Sequence, residues 1–388
     1  MQYSHIAFVS YPLYPHVGPT LPIAAALVRR GHRVTFATSE TFSARAASLG
    51  ADVVTLPKLP VPKDLDAKYA NTVTQYGAIT LEPLANVFER DRPSLLIYNS
   101  PSLAARILGH RYEIPLIKAS ATVALDATNL GKQMPDERFR QSVIDYGRGI
   151  DPFVESHGVS GAGYTFHREK LNIYLFTSLL QPYRELFDSS CFFAGRCAGE
   201  QPHYGSWERG RTNGKPIIFV ATSTNYVQGP AYFRMCIDAL SDAGARVILS
   251  IGDTGTRAAL GDLPPDFEVV QHTAHVKILP YVSLYICLGG NVTASEAAYH
   301  GVPMIVISGG WPELEWQAEH LEKTGLALHL KKADSNTANL RDAVRRVSSD
   351  RGMQERAREI KRFVRREPGS EEAANVIEDY LDGEGKVS

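Results

Sequence analysis

The sequence predicts an α/β protein made of two doubly wound, parallel-sheet domains in tandem. Three observations carry this. Short apolar runs of strand length alternate with amphipathic helical stretches along almost the whole chain. The alternation lapses over residues 199–215 (GEQPHYGSWERGRTNGK), a stretch rich in glycine and charge, and then restarts. At 388 residues the chain is also too long for one ordinary core. The expected division is an N-terminal domain at 1–198, a linker at 199–215, a C-terminal domain at 216–366 and a tail helix at 367–388.

The elements follow in order. Residues 5–10 are apolar, as a buried parallel strand requires. A loop at 11–19 follows, with three prolines and one glycine, then a helix at 20–30 that Gly31 closes, then a strand at 33–37. This is a βαβ opening, with its first loop at the carboxyl end of a strand, where such sheets bind ligands. Helices at 43–49, 76–91 and 102–110 alternate with strands at 52–56, 94–98 and 115–119. Residues 120–165 read as a polar, irregular insertion with helical pieces around 136–146, of the sort that shapes an acceptor pocket. Short strands at 171–177 and 192–193 close the first half. In the second half, strands at 216–221, 246–251, 267–271, 284–287, 304–308 and 327–330 alternate with helices. Charged helices at 335–349 and 353–366 come next. A last helix at about 370–381 carries Ala373, Val376, Ile377 and Leu381 on one face.

The most informative stretch runs from Tyr285 to Pro303: a strand, a Gly289-Gly290 turn, a helix, and a Gly-Val-Pro break. Glycines feeding a helix N-terminus let backbone amides approach an anion, and the helix dipole favours one there. By itself this turn better suits a strand-to-helix connection that needs glycine only for its geometry.

Composition excludes several classes. Apolar residues make up 44% and charged residues 21%, with a net charge of −1, which suits a globular protein without a nucleic-acid surface. The four cysteines lie mostly in apolar runs, suggesting reduced thiols in a cytoplasmic protein, although Cys191 and Cys197 are open to pairing. No spacing resembles a metal site, the first residues lack signal-peptide features, and no apolar run is long enough to span a membrane. A homodimer is left open.

Two stretches then become recognisable. Tyr14-Pro-His-Val-Gly-Pro-Thr-Leu after the first strand resembles the acceptor-side loop of the macrolide-type, UDP-glycosyltransferase-like enzymes. The stretch Val270-Gln-His-Thr-Ala-His-Val-Lys-Ile-Leu-Pro, the glycine turn, Glu296 and Gly301-Val-Pro resemble that family's nucleotide-sugar signature. The two lie about 270 residues apart in the family's order. The resemblance implies the GT-B fold: two facing Rossmann-like domains, with the C-terminal helix crossing back to the first. It implies inverting sugar transfer from a UDP- or dTDP-sugar co-substrate, without a cofactor, to a small hydrophobic acceptor. His16 takes the place of the general base. Thr224, Gln271, Gly289, Gly290, Thr293, Glu296 and Glu313 take donor-side places, with Glu296 on the ribose hydroxyls and Glu313 on the sugar. Tyr11, Tyr14, Phe88 and the 120–165 insertion are candidates for the acceptor pocket.

The chain also departs from the family pattern. Asn99 stands where the family has the aspartate that orients the histidine; an amide accepts a hydrogen bond but does not offset an imidazolium charge. Leu288 replaces the histidine that reaches the diphosphate, Val292 an asparagine, and Leu314 the amide beside Glu313. Three functions therefore stay open: a transferase with an unusual donor, a glycosyltransferase scaffold turned to other natural-product chemistry such as cyclisation, elimination or hydrolysis, and a non-catalytic auxiliary protein.

Overall fold

The protein is described from a computed structural model, at residues 3–60, 69–160, 163–197, 207–210, 214–222, 228–251, 254–271, 275–309 and 312–384. Its first sheet has seven parallel strands: β1 (His5–Val9), β2 (Arg33–Ser39), β3 (Asp52–Leu56), β4 (Leu95–Asn99), β5 (Leu116–Ser120), β6 (Leu171–Tyr174) and β7 (Cys191–Phe193), in the order β3-β2-β1-β4-β5-β6-β7. Its second sheet has six: β8 (Ile217–Ala221), β9 (Arg246–Ile251), β10 (Phe267–Gln271), β11 (Val282–Cys287), β12 (Met304–Val306) and β13 (Ala327–His329), in the order β10-β9-β8-β11-β12-β13. Both are doubly wound. The strand order reverses direction between β1 and β4 in one and between β8 and β11 in the other, and each such point opens a crevice at the carboxyl ends of the strands.

The chain separates into two compact units, residues 1–200 with 368–388 and residues 201–367. In the first unit, β1, β4, β5 and β6 bury Ile6, Phe8, Leu95, Ile97, Ile117 and Ile173 in one core. The last helix, Gly369–Glu384, belongs to that core through Ala373, Ala374 and Ile377, all fully buried. It is fastened by polar contacts as well. Arg30 donates to Asn375 at 2.7 Å and pairs with Glu371 and Glu378, and His32 Nε2 lies 3.0 Å from Glu378. The apolar stripe read from the sequence is therefore the docking face. Helix Leu21–Arg29, which it covers, ends before Gly31, whose φ of +94° few other residues adopt without strain.

The 120–165 insertion departs most from the expectation. It contains a 19-residue helix, Glu137–Glu155, which Asp136 caps by accepting from Arg138 N. That helix buries Ile150 and Val154 in a core shared with Tyr11, Tyr76, Leu103 and Ile107. Helical spacing from Phe139 through Gly147 and Ile150 to Val154 outweighs the polar composition, which belongs to the outer face. Phe88 is likewise a core residue, packed with Leu84, Tyr98 and Leu108. Tyr11 and Phe88, at 0% and 1% exposure, are thus core side chains, not pocket walls. The loop read at 11–19 also contains one helical turn, Tyr14–Val17. Most of the linker read at 199–215 lies outside the described residues. The four cysteines are free and buried.

Candidate functional site

Each unit presents one candidate centre at the carboxyl edge of its sheet. In the first unit β1 and β4 run side by side, Val9 opposite Tyr98, so the residues leaving both strands share that edge. Pro15 pre-sets the turn Tyr14–Val17. The turn is closed by Val17 N to Leu13 O at 3.0 Å and Gly18 N to Tyr14 O at 2.8 Å. Thr20 Oγ1 braces it, donating to Val17 O at 2.9 Å. His16 is carried inward on this turn and meets the Tyr11 ring edge-on, with centroids 5.7 Å apart. Its Nδ1 is buried without a hydrogen-bond partner. Burial lowers its pKa to about 4, so the ring is neutral at neutral pH.

Asn99 ends β4 at 1% exposure. Its Nδ2 donates to Ala119 O at 3.3 Å, and its Oδ1 is buried without a partner. His16 and Asn99 share the same edge, but no hydrogen bond joins them.

In the second unit β11 delivers the glycine turn. Gly289 has a φ of +81°, and a Cβ placed there would meet Val306 Cγ1 at 2.6 Å, so both conformation and space require glycine. Gly290 is different. As the N-cap of helix Asn291–His300 it has φ −60° and ψ 146°, no side-chain cap, and open space where a Cβ would stand. The first turn of a helix leaves backbone N–H groups without intrahelical partners, and the dipole adds partial positive charge there. Thr293 lies half-buried in that turn, while Leu288 and Val292 are buried. Burial pushes the thiol of Cys287, the last residue of β11, up to about 12, with the Gly289 N–H easing it back.

The acidic candidates behave differently from one another. Glu296 is buried, its Oε2 3.8 Å from His275 Nδ1, and His275 Nδ1 lies 3.2 Å from the Tyr285 hydroxyl. His275 and Tyr285 both lie in the stretches singled out in the sequence, but their pairing is not readable there, because it depends on the chain's return through β11. Glu313 stands exposed in the first turn of helix Pro312–Lys323 and accepts from Gln317 Nε2 at 3.1 Å. Leu314 is turned into the core. Glu315 accepts from Ser308 Oγ and lies 3.5 Å from His329 Nε2, while Ser308 Oγ and His329 Nε2 are 3.0 Å apart. That cluster ties the helix to the ends of β12 and β13. Gln271 closes β10, three strand positions from β11, roughly 14 Å away at the usual strand spacing. The Gln271 side chain, Thr224 and Trp311 lie outside the described residues. Among the described residues no cluster of metal-ligating side chains occurs, and no helix is long and apolar enough to cross a membrane.

Known proteins resemble this chain over nearly its whole length. The family model of the erythromycin biosynthesis protein CIII-like C-terminal domain matches residues 234–380. The demethyllactenocin mycarosyltransferase of Streptomyces fradiae is 28% identical, over 97% of this chain and 87% of its own. The NDP-glycosyltransferase YjiC of Bacillus subtilis is 27% identical over 98% of both chains. Among solved structures, the kitacinnamycin glycosyltransferase superposes with a TM-score of 0.82 at 26% identity, over 98% of this chain and 99% of its own.

Proposed function

With a UDP-glycosyltransferase-like chain of the macrolide type on a GT-B scaffold as the premise, we propose that it transfers a sugar, with inversion, from a UDP- or dTDP-sugar to a hydroxyl of a small hydrophobic natural product. The observation that carries this reading is the glycine turn at the β8/β11 switch point, where Gly289 admits no side chain and Gly290 opens a helix toward free space. That is the geometry a diphosphate needs.

In this mechanism the donor's diphosphate rests against the amides at Gly290 and the first turn of helix Asn291–His300, with Thr293 adding its hydroxyl. The neutral imidazole of His16 takes the proton of the acceptor hydroxyl. The acceptor oxygen forms its bond to the anomeric carbon as the bond to the diphosphate breaks on the opposite face, and the leaving group departs as the nucleoside diphosphate. The helix dipole offsets the charge that develops on that group. Glu313 holds sugar hydroxyls, Glu296 faces the ribose side, and Gln271 and Thr224 complete the donor side. Burial leaves His16 a weak base, in keeping with its low pKa, and Asn99 brings no charge to offset that.

One observation favours a second reading, non-glycosyl chemistry on a natural product: Leu288 and Val292 are apolar and buried beside the turn. Losing two donors to a charged oxygen weakens binding by a factor on the order of hundreds, at roughly 1.5–3 kcal/mol each. A thermal-shift titration with UDP and dTDP decides between the two. Stabilisation by either nucleotide at millimolar concentration is expected for a transferase, since a ligand selective for the folded state raises the melting temperature. No shift with either would favour the second reading.

A further inference from the structure

The carboxylate expected to grip the donor sugar has lost its neighbouring amide, since Leu314 points into the core. The structure supplies another amide one helical turn later. Gln317 lies four residues after Glu313 on helix Pro312–Lys323, so the two share a face, and its Nε2 donates to Glu313 Oε1 at 3.1 Å. That contact fixes which end of the amide is which, because only the NH2 end can donate to a carboxylate. The carbonyl end, Gln317 Oε1, is then left buried without a partner, on a residue only 8% exposed. A buried acceptor without a donor is costly and calls for an explanation.

Glu315, the other acid of this turn, is not available for the same task. Ser308 donates to one of its oxygens, and His329 Nε2 lies 3.5 Å from the other. The helix itself starts beyond the end of β12, the neighbour of β11, so Glu313 and Gln317 stand at the same sheet edge as the glycine turn.

We infer that Gln317 is a specificity-determining residue, forming with Glu313 a carboxylate–amide pair that accepts two hydroxyls of the donor sugar. This rests on the transferase reading and narrows it. A carboxylate oxygen and an amide carbonyl both accept and cannot donate, so the sugar must bring two O–H groups to this end. A hydroxylated hexose meets that requirement, whereas a sugar stripped of these hydroxyls leaves the Gln317 carbonyl unpaired and is discriminated against.

The test compares nucleotide with nucleotide sugar. Affinities of UDP, dTDP, UDP-glucose and dTDP-glucose are measured by calorimetry on the wild-type protein, Gln317→Met and Gln317→Glu. The first substitution keeps the length and removes the polar end; the second keeps the shape and sets two carboxylates together. We expect the gain in affinity that glucose adds to the better nucleotide to fall about 5- to 20-fold in both variants, while UDP and dTDP bind as before. An unchanged gain would overturn the inference, and a lowered melting temperature with an unchanged gain would make Gln317 a structural residue only. If neither nucleotide nor nucleotide sugar binds the wild-type protein, the transferase reading itself fails, which is a separate outcome from a failure at Gln317.

Discussion

The two switch points are built in opposite ways. At the β1/β4 edge the important groups are side chains, sealed in and unpaired: His16 Nδ1 and Asn99 Oδ1 are both buried without hydrogen-bond partners. At the β8/β11 edge the important groups are backbone, and the side chains around them have partners: Glu296 faces His275, Glu315 is held by Ser308 and lies near His329, and Glu313 accepts from Gln317. The amides and helix end of the second edge depend for their geometry on Gly289 and on strand-to-helix order, not on the side chains of Leu288 and Val292. The role proposed for His16, by contrast, rests on a single side chain.

The sharpest way to break this comparison is to remove the imidazole. His16→Ala is expected to lower kcat by a factor of about 10²–10⁴, the usual worth of a general base, while UDP and dTDP binding by the other unit stays within twofold. Steady-state kinetics beside nucleotide titration reads both. Unchanged turnover would move the chemistry away from His16.

The glycine pair offers the next largest effect, on stability. Gly289→Ala forces a side chain into a positive-φ position and against Val306, and is expected to cost roughly 2–4 kcal/mol of unfolding free energy. Gly290→Ala meets neither obstacle, so its cost should stay below about 1 kcal/mol in urea denaturation. Equal costs at the two positions would mean that the turn is not held as described.

A third effect follows from the sealed imidazole. The folded state keeps His16 neutral down to about pH 4, whereas the unfolded chain takes up a proton near the ordinary value of 6.5. Below pH 6.5 the unfolded state therefore binds more protons, and stability falls as pH drops. Between pH 6.5 and pH 5 this amounts to about 1.6 kcal/mol, a little less than the full slope of 1.36 kcal/mol per pH unit would give, because the unfolded histidine is only half protonated at pH 6.5. Comparing urea midpoints of wild type and His16→Gln across that range isolates the contribution, which the variant should lack.

How much of this was legible beforehand depends on the range of the interactions. Both sheets, the glycine turn and the apolar stripe of the last helix are written in local period and spacing, so the strands were read to within a few residues. The 120–165 stretch was legible only in part, with helix expected around 136–146, because charged residues on the outer face of helix Glu137–Glu155 mask the recurrence of Phe139, Ile150 and Val154. The site was legible only as types at positions. His275 against Glu296, and Ser308 with His329 against Glu315, join residues 7 to 21 positions apart through strand returns, which no spacing rule encodes. Glu313 and Gln317 were readable, since a four-residue interval is a helical face, but the departure at Leu314 drew attention to the adjacent residue instead.

The smallest expected effect concerns Asn99. If this residue oriented the base, its loss would act on turnover much as the loss of an orienting carboxylate does in other carboxylate–histidine pairs, by orders of magnitude. The structure gives it one long bond, to Ala119 O at 3.3 Å, and none to His16. Asn99→Ala should therefore cost about 1–2 kcal/mol of stability, from one lost hydrogen bond and a small void, yet lower kcat less than threefold. It should also leave the acidic limb of kcat against pH where the wild-type protein has it, because the low pKa of His16 is a consequence of burial and not of Asn99. A large drop in kcat, or an acidic limb displaced by a full pH unit, would show that the two side chains act together once substrate is bound. The first switch point would then be paired in function, as the second is in structure.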